Sequence, residues 1–220
     1  MLVSDQESLK TEGLAVPYVE LSFGVTGNTL PADHGYGLYS AISKICPVLH
    51  ERDGISIQTI TGMPDRQGKI YLTNERSCLR IRLPYDPELI SQSLTLSGKQ
   101  LTIGHHRIGL GIPRFFALQP TTLLKARIVV IKGFQEVEPF LEAVKYKLKF
   151  LEIGGNASIP LNEKGECDRK TIKVKNFTVV GFGVVVTDLN PEDSIKLQTV
   201  GIGGKHRMGC GIFAPVGGEV

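Results

Sequence analysis

Alternating and helical hydrophobic patterns follow one another along the first half of the chain. Residues 18–25 alternate as a strand does, and the next stretch predicts a helix. Further extended segments, a short helix and a strand over residues 99–111 complete the order β-α-β-β-α-β. One face of the first predicted helix carries the apolar residues Leu38, Ala41, Ile42 and Ile45.

The same order of elements recurs after about residue 116. Predicted strands lie there at residues 122–133, 157–161, 171–174 and 177–186, and predicted helices lie at residues 136–151 and 191–200. A closing strand follows the last helix. This repetition predicts an α+β protein of two tandem ferredoxin-like (RRM-like) βαββαβ domains, at 17–115 and 116–220, after a flexible N-terminus at 1–16. The open sheet face of such domains commonly binds RNA.

Composition and charge add limits to this picture. With 220 residues and 41% hydrophobic content, the chain can bury a substantial core, and its net charge of +3 permits an anionic partner. The four cysteines are far apart and form no Cys-x-x-Cys, so neither a zinc site nor a disulfide framework is indicated. No apolar run reaches the ~18 residues that cross a bilayer. We expect a cytoplasmic protein without a membrane segment.

The segment VGIGGKHRMGCGIF, near the C-terminus, places five glycines around a cationic triplet. It is no Walker loop, because His206 follows Lys205, and no dinucleotide fingerprint, because His206 occupies the third glycine position. Glycines let backbone N–H groups approach a phosphate closely, whereas the alternative is a solvated turn. Within the loop at 200–211, the candidate RNA-binding residues are Gly201, Gly203, Gly204, Lys205, His206 and Arg207.

Two further basic groups are candidates for RNA contact. His105 and Arg107 lie in a predicted strand, where His105 and His106 point to opposite faces, so at most one imidazole meets a given ligand. The alternative is a charged strand edge. Lys125 and Arg127 share one face of the next predicted strand and form a small basic stripe.

The first predicted helix carries two candidate catalytic histidines. His34 lies at its start, beside Asp33 as a plausible N-cap, and His50 lies sixteen positions later, ~24 Å away along an unbroken helix. Pro47 disfavours an unbroken helix, and a turn there would bring His50 towards the face that carries Tyr39. His34 and His50 are therefore alternatives rather than partners. Surface positions for both histidines, and packing for Tyr39, are the simpler readings.

From about residue 17 onward the sequence resembles the Cas6 group, the CRISPR-associated endoribonucleases that cut precursor CRISPR RNA within its repeats. The resemblance rests on TLPADHGYGLYSAISKICPVLHE, VIKGFQEVEPFLEAV and GIGGKHRMGCGIF, which look closest to the compact MYXAN-type branch. It implies a glycine-rich loop against the RNA backbone and a catalytic histidine near a tyrosine. LYSAISKICPVLHE resembles that arrangement with Tyr39 and His50, whereas His34 would suit other members.

The implied chemistry requires no metal or cofactor. A base removes the proton from a ribose 2′-hydroxyl, and that oxygen attacks the adjacent phosphate. An acid protonates the departing 5′-oxygen, so that a 2′,3′-cyclic phosphate and a 5′-hydroxyl result. Lys44 and Arg52 are candidates for stabilising the phosphate charge. The implied partner is CRISPR repeat RNA, and other subunits of an effector complex are possible further partners. The alternatives are a noncatalytic repeat-binding subunit and a metabolic enzyme on the same scaffold.

Overall fold

The computed structural model describes residues 17–162 and 164–216 as an α+β fold with antiparallel sheets, which confirms the expected class. The expected flexible N-terminus at 1–16 lies outside the described residues. Within the described part of the chain, no helix is both long and apolar enough to cross a bilayer.

The first half builds one five-stranded sheet and one small three-stranded sheet. The large sheet has the order β3-β6-β1-β8-β7, and the small one has the order β2-β5-β4. The elements are β1 (Tyr18–Thr26), β2 (Thr29–Pro31), α1 (Gly35–Ile45), α2 (Val48–Glu51), β3 (Ser56–Ile57), β4 (Met63–Pro64), β5 (Lys69–Tyr71), β6 (Cys78–Pro84), α3 (Pro87–Ser93), β7 (Gln100–Ile103) and β8 (His106–Ala117).

The second half builds a sheet of order β10-β12-β9-β13, with β11 also paired to β12. Its elements are β9 (Leu124–Val129), α4 (Val137–Phe150), β10 (Asn156–Ser158), β11 (Arg169–Val174), β12 (Phe177–Thr187), α5 (Pro191–Val200) and β13 (Phe213–Pro215). A single 3₁₀ turn, His206–Met208, lies between α5 and β13. In both large sheets, the strand that begins the half pairs with the strand just before the last helix and with a strand after that helix.

Each half has its own core beneath its sheet. In the first half, Leu21 and Phe23 of β1 are fully buried in one cluster with Leu38 and Ile42 of α1, as the helical spacing predicted. In the second half, the rings of Phe140 and Phe182 lie 4.7 Å apart between α4 and β12. The hydrophobic periodicity of the sequence therefore identified the buried face of α1 correctly.

Three details of the sequence prediction are wrong or shifted. The N-cap of α1 is His34 rather than Asp33, whose carboxylate accepts a hydrogen bond of 2.6 Å from the backbone N–H of Lys173. Residues 99–111 form the hairpin β7–β8 instead of one strand, so His105 lies in its turn. Strand β8 continues to Ala117, two residues beyond the boundary expected at residue 115.

A buried arginine ties the first sheet to the second half. Arg82 is 1% exposed, and its Nη1 donates to the carbonyl oxygens of Gln198 at 2.6 Å and Phe213 at 2.9 Å. Gln198 precedes the glycine-rich loop and Phe213 follows it, so one guanidinium holds both ends of the loop. Nη2 of Arg82 donates to the carboxylate of Glu20 at 2.9 Å, and Gln58 donates to the same oxygen.

This buried ion pair carries a large desolvation cost. Burial lowers the pKa of Arg82 from its ordinary value, and the charge of Glu20 opposes that shift. An arginine remains protonated in either case, so removing one member of the pair leaves the other buried and uncompensated. The pair therefore fixes how the two halves meet, even where its net contribution to stability is small.

We expect Arg82→Met to lower the free energy of unfolding by about 3–5 kcal/mol, because Glu20 and two carbonyl groups lose their buried partner. The matched control is Arg80→Met in the same strand, since Arg80 lies 3.7 Å from Glu20 and is half-buried. We expect the control to cost less than about 1 kcal/mol. Urea denaturation measures both, and equal losses for the two variants would contradict the role of Arg82.

Candidate active site

Tyr39 and His50 come together because the helix breaks between them. Helix α1 ends at Ile45, and Pro47 begins the separate short helix α2, as its missing N–H predicts. The turn places the Tyr39 hydroxyl in hydrogen-bond contact with Nδ1 of His50, with the ring centroids 5.7 Å apart. His50 is exposed, and its other ring nitrogen, Nε2, has no hydrogen-bond partner among the described residues.

This pair can move a proton in either direction. When Nδ1–H donates to the Tyr39 oxygen, Nε2 of His50 keeps a lone pair and can accept a proton. When the tyrosine hydroxyl donates to Nδ1, Nε2 carries the hydrogen and can release it. The hydrogen bond with Tyr39 thus selects the tautomer and orients the ring while Nε2 stays open to a ligand.

His34, the other histidine candidate, is part of the interior. It is 2% exposed, and its Nε2 accepts a hydrogen bond of 2.9 Å from the backbone N–H of Ile60. The proton therefore resides on Nδ1, which donates to the carbonyl oxygen of Pro31 at 2.7 Å. Burial lowers the pKa of His34, so the neutral ring is favoured. With both ring nitrogens occupied, His34 has no free atom for proton transfer with a substrate.

The glycine-rich loop is anchored at its base. The backbone N–H of Gly204 donates to the Val130 carbonyl at 3.0 Å, and that of Gly211 donates to the Ile128 carbonyl at 2.8 Å. Gly201 and Gly211 have positive φ angles of 62° and 67°, and a Cβ on either would collide with a carbonyl oxygen of the opposite side of the loop. Gly201 is buried and its N–H donates to the carbonyl of Leu197.

These contacts change the expected role of the glycines. Gly201 and Gly204 use their amides inside the protein, so they do not supply N–H groups to a ligand as expected. At the tip of the loop, Gly203, Gly204 and Lys205 are exposed. The N–H groups of Gly203 and Lys205 donate to no backbone carbonyl of the described residues. The tip is therefore the part of the loop that is available to an anion.

The other two members of the cationic triplet contact the protein itself. His206 is half-buried beneath the loop, and burial lowers the pKa of its imidazole. Nη2 of Arg207 donates to the backbone carbonyl of Arg52 and lies 3.8 Å from the Asp53 carboxylate. Arg207 thereby holds the loop against the residues that follow α2, and Lys205 is the one cation of the triplet that projects from the tip.

Close backbone packing brings the loop onto the first half. A Cβ on Gly35, the first residue of α1, would collide with the carbonyl oxygen of Met208 in the 3₁₀ turn. A Cβ on Gly209 would lie 2.6 Å from Cγ2 of Thr59. The loop thus lies against the N-terminus of α1 and against the chain after β3, which fixes its distance from Tyr39.

Between the loop and the first half lies a cavity of about 500 Å³, which we call the central groove. Its walls include Tyr18, Tyr39, Asp53 to Ile55, and the loop residues Gly203 to Met208. Tyr39 lines the groove together with the loop tip, and its hydroxyl contacts His50, which is not itself a lining residue. The groove is therefore lined by the tyrosine of the pair and by the exposed Lys205.

The remaining predicted cations lie outside the central groove. Lys125 and Arg127 are both exposed on one face of β9, as the period of two predicted. His105 in the hairpin turn and Arg107 in β8 are exposed as well. Of the two candidates for charge stabilisation, the guanidinium of Arg52 pairs with Asp86 at 2.8 Å. Lys44 is exposed and lines a separate cavity between α1 and β7.

Sequence reasoning missed the residues that hold the site together. Glu20, Arg82 and Gln198 were not singled out, although Arg80 and Arg82 alternate with buried apolar residues in CLRIRLP. That alternation shows that β6 has a second, polar face, and this feature of the sequence could have identified Arg82. Among residues 17–162 and 164–216, no group of three or more histidine, cysteine or acidic side chains is arranged to hold a metal ion.

Comparisons with known proteins agree on one family. The family model described as Cas6 Crispr matches residues 19–218. A CRISPR-associated endonuclease Cas6 of Myxococcus xanthus is 33% identical over 205 residues, which cover 93% of this chain and 84% of the relative.

Solved structures share the fold at low sequence identity. A protein from a Cas6-related gene of Pyrococcus furiosus gives a TM-score of 0.60 at 14% identity, over 92% of this chain and 99% of the other. A RAMP protein described as binding different RNA substrates also gives 0.60, at 13% identity, over 90% and 98% of the two chains.

The lowered pKa of His34 makes stability sensitive to acid. The unfolded chain takes up the proton below about pH 6.5 while the folded one resists it, so this contribution is present above that pH and is lost on acidification. We expect the free energy of unfolding to fall between pH 7 and pH 5, by up to about 1.4 kcal/mol per pH unit for this site. His34→Gln, whose amide can keep both hydrogen bonds, should flatten the curve measured by urea denaturation. An unchanged pH dependence would contradict the assignment.

Substitution by alanine should destabilise the protein at one glycine of the loop and have little effect at another. Gly201→Ala forces a Cβ into a left-handed conformation and against the Gly211 carbonyl, so we expect a loss of about 1–3 kcal/mol. At Gly204, nothing lies within 4 Å of an added Cβ, and we expect a change below about 0.5 kcal/mol. Urea denaturation measures both variants. Similar losses for the two would show that the loop does not have this anchored form.

Proposed function

The chain belongs to the Cas6 family, and on that premise we propose that it is an endoribonuclease that cuts precursor CRISPR RNA within its repeats. The observation that carries the proposal is the contact between Tyr39 and His50, because Tyr39 lines the same groove as the loop tip. The name of the Myxococcus xanthus relative, a CRISPR-associated endonuclease, supports the same activity. The substrate is the repeat RNA, and the product is the mature guide RNA.

In the proposed reaction, Tyr39 and His50 act at the sugar. Nδ1–H of His50 donates to the Tyr39 oxygen, so Nε2 can remove the proton from the ribose 2′-hydroxyl. The 2′-oxygen attacks the adjacent phosphorus, and the bond from phosphorus to the departing 5′-oxygen breaks. That oxygen takes a proton from solvent, and His50 later returns its own to solvent. The ends formed are a 2′,3′-cyclic phosphate and a 5′-hydroxyl, and no step requires a metal ion or cofactor.

The loop tip is the proposed site of phosphate stabilisation. Negative charge grows on the phosphate oxygens during the attack, and fixed donors aimed at that position lower the barrier. Lys205 supplies a cation there, and the N–H groups of Gly203 and Lys205 supply open donors. Because the loop is held by the amides of Gly204 and Gly211 and by Arg82, these donors are positioned before the RNA arrives.

Wider features of the proposal follow from the fold. The same strand order in both large sheets supports two tandem ferredoxin-like domains, with the connection at residues 118–123. The exposed side chains of His105, Arg107, Lys125 and Arg127 are proposed as outer contacts to the repeat. We further propose that the protein works in the cytoplasm and that other CRISPR effector subunits meet it after cleavage.

The key experiment compares His50→Ala with the wild-type protein on repeat RNA under single-turnover conditions in EDTA. We expect wild-type cleavage without metal and a loss of about 100-fold or more in rate for the variant, since the general base is missing. The affinity for the RNA, measured by anisotropy, should stay within a few-fold of wild type. Glu51→Ala is the matched control, because it removes an exposed side chain of the same helix, α2, that has no role in the proposed reaction.

Three outcomes would contradict this assignment. Wild-type protein that binds the repeat but never cuts it, at any enzyme excess, would indicate a noncatalytic repeat-binding subunit. Cleavage that stops with EDTA and returns with a divalent cation would refute the metal-independent mechanism. Full activity in His50→Ala, with loss of activity in folded His34→Gln, would move catalysis to the buried histidine.

A further inference from the structure

A second cavity, of about 590 Å³, lies on the other side of the loop tip from the central groove. Three separate parts of the second half form its walls: the end of β9 with the following turn, the last turn of α4, and the loop itself. We call it the lysine pocket. Its lining residues are Val130, Ile131, Lys132, Lys147, Phe150, Leu151, Gly201, Ile202, Gly203, Gly204 and Lys205.

The charge of the lysine pocket is entirely positive. Lys132, Lys147 and Lys205 line it, and no carboxylate does. None of the three forms an ion pair with a described acidic residue, whereas Lys145 on the same helix pairs with Glu142 at 2.8 Å. Lysines at the end of α4 complement the helix dipole, but that does not explain why lysines from two other segments converge on the same cavity.

An exposed aromatic ring completes the pocket. Phe150 is 70% exposed, and Nζ of Lys147 lies 5.7 Å from the centre of its ring. Tyr146, one turn earlier, stacks beside Phe150 with 6.5 Å between the ring centres. Cations beside an accessible aromatic face are the combination that binds single-stranded nucleic acid, because bases stack on the ring while lysines meet the phosphates.

The lysine pocket and the central groove share a wall. Gly203, Gly204 and Lys205 line both cavities, so the loop tip is a ridge between them. A polynucleotide strand that places one phosphate at the tip passes directly from the groove into the pocket. The pocket therefore lies where the nucleotides beside a cleaved phosphate would be.

We propose that the lysine pocket binds an unpaired nucleotide of the RNA next to the cut, with its base on Phe150 and its phosphate between Lys132 and Lys205. This inference rests on the proposed function, because it takes the central groove as the place of cleavage. It adds a specificity site that reads single-stranded character on one side of the cut. A nucleotide inside a duplex is stacked on both faces and offers no free face to the ring.

The test measures the affinity for a repeat RNA that cannot be cut because the ribose at the cleavage site lacks its 2′-hydroxyl. Abasic nucleotides are placed, one at a time, at the three positions on either side of the cut. We expect one of them to weaken wild-type binding about tenfold, and Phe150→Ala to weaken binding of the intact RNA by a similar factor. The abasic site should cost the Phe150→Ala variant little more. Phe177→Ala is the matched control, because Phe177 is 73% exposed in another part of the fold.

The lysines are tested by the salt dependence of the same affinity. We expect Lys132→Ala to reduce the slope of log K against log salt concentration by about 0.7, the amount for one phosphate contact on a single strand. Lys145→Ala, which loses only a surface pair with Glu142, should keep the wild-type slope.

Two results would overturn the inference. If Phe150→Ala and Phe177→Ala bind alike, and every abasic site weakens both equally, no base stacks in the pocket. When this first result is found and the wild-type protein still cuts the repeat normally, the proposed function stands and only the role of the lysine pocket is refuted. If wild-type protein neither binds nor cuts the repeat, the proposed function fails and this inference fails with it.

Discussion

The arrangement of the whole molecule depends on one buried guanidinium. The side chain of Arg82 extends from β6 of the first sheet and donates to carbonyl groups on either side of the glycine-rich loop. Those carbonyls, at Gln198 and Phe213, belong to the second half, so a single side chain sets both ends of the loop relative to the first half. Glu20 keeps the charge compensated where water is excluded. Tyr39 belongs to the first half and the loop tip to the second, so this contact also sets the width of the central groove.

Most glycines of the loop serve the same constraint rather than a ligand. Gly201 and Gly211 let the two sides of the loop approach each other, and Gly35 and Gly209 let the loop approach α1 and Thr59. Only the tip around Lys205 is left open. A rigid base with an exposed cationic tip is what electrostatic stabilisation of a phosphate requires, because donors that are already fixed need not reorganise during the reaction.

Local patterns in the sequence predicted what local physics determines. The helical spacing of Leu38 and Ile42 located the buried face of α1, and Pro47 located the break that joins His50 to Tyr39. The hairpin turn at His105 was missed locally, whereas the other failures involve partners distant in the chain. Asp33 looked like an N-cap, but its carboxylate accepts a hydrogen bond from the N–H of Lys173, which is 140 residues away in the chain. The burial of His34 and the partners of Arg82 depend on the packing of segments that no local pattern relates.

The central claim is that the groove between Tyr39 and the loop tip holds the phosphate that is cut. A crystal structure with a repeat RNA that lacks the 2′-hydroxyl at the cleavage site tests it most directly. We expect the scissile phosphate at the loop tip, within hydrogen-bond reach of the Gly203 or Lys205 amide. We expect Nε2 of His50 to lie about 3 Å from the position that the 2′-oxygen would occupy. RNA bound tightly elsewhere on the protein, with the central groove free of it, would contradict the account.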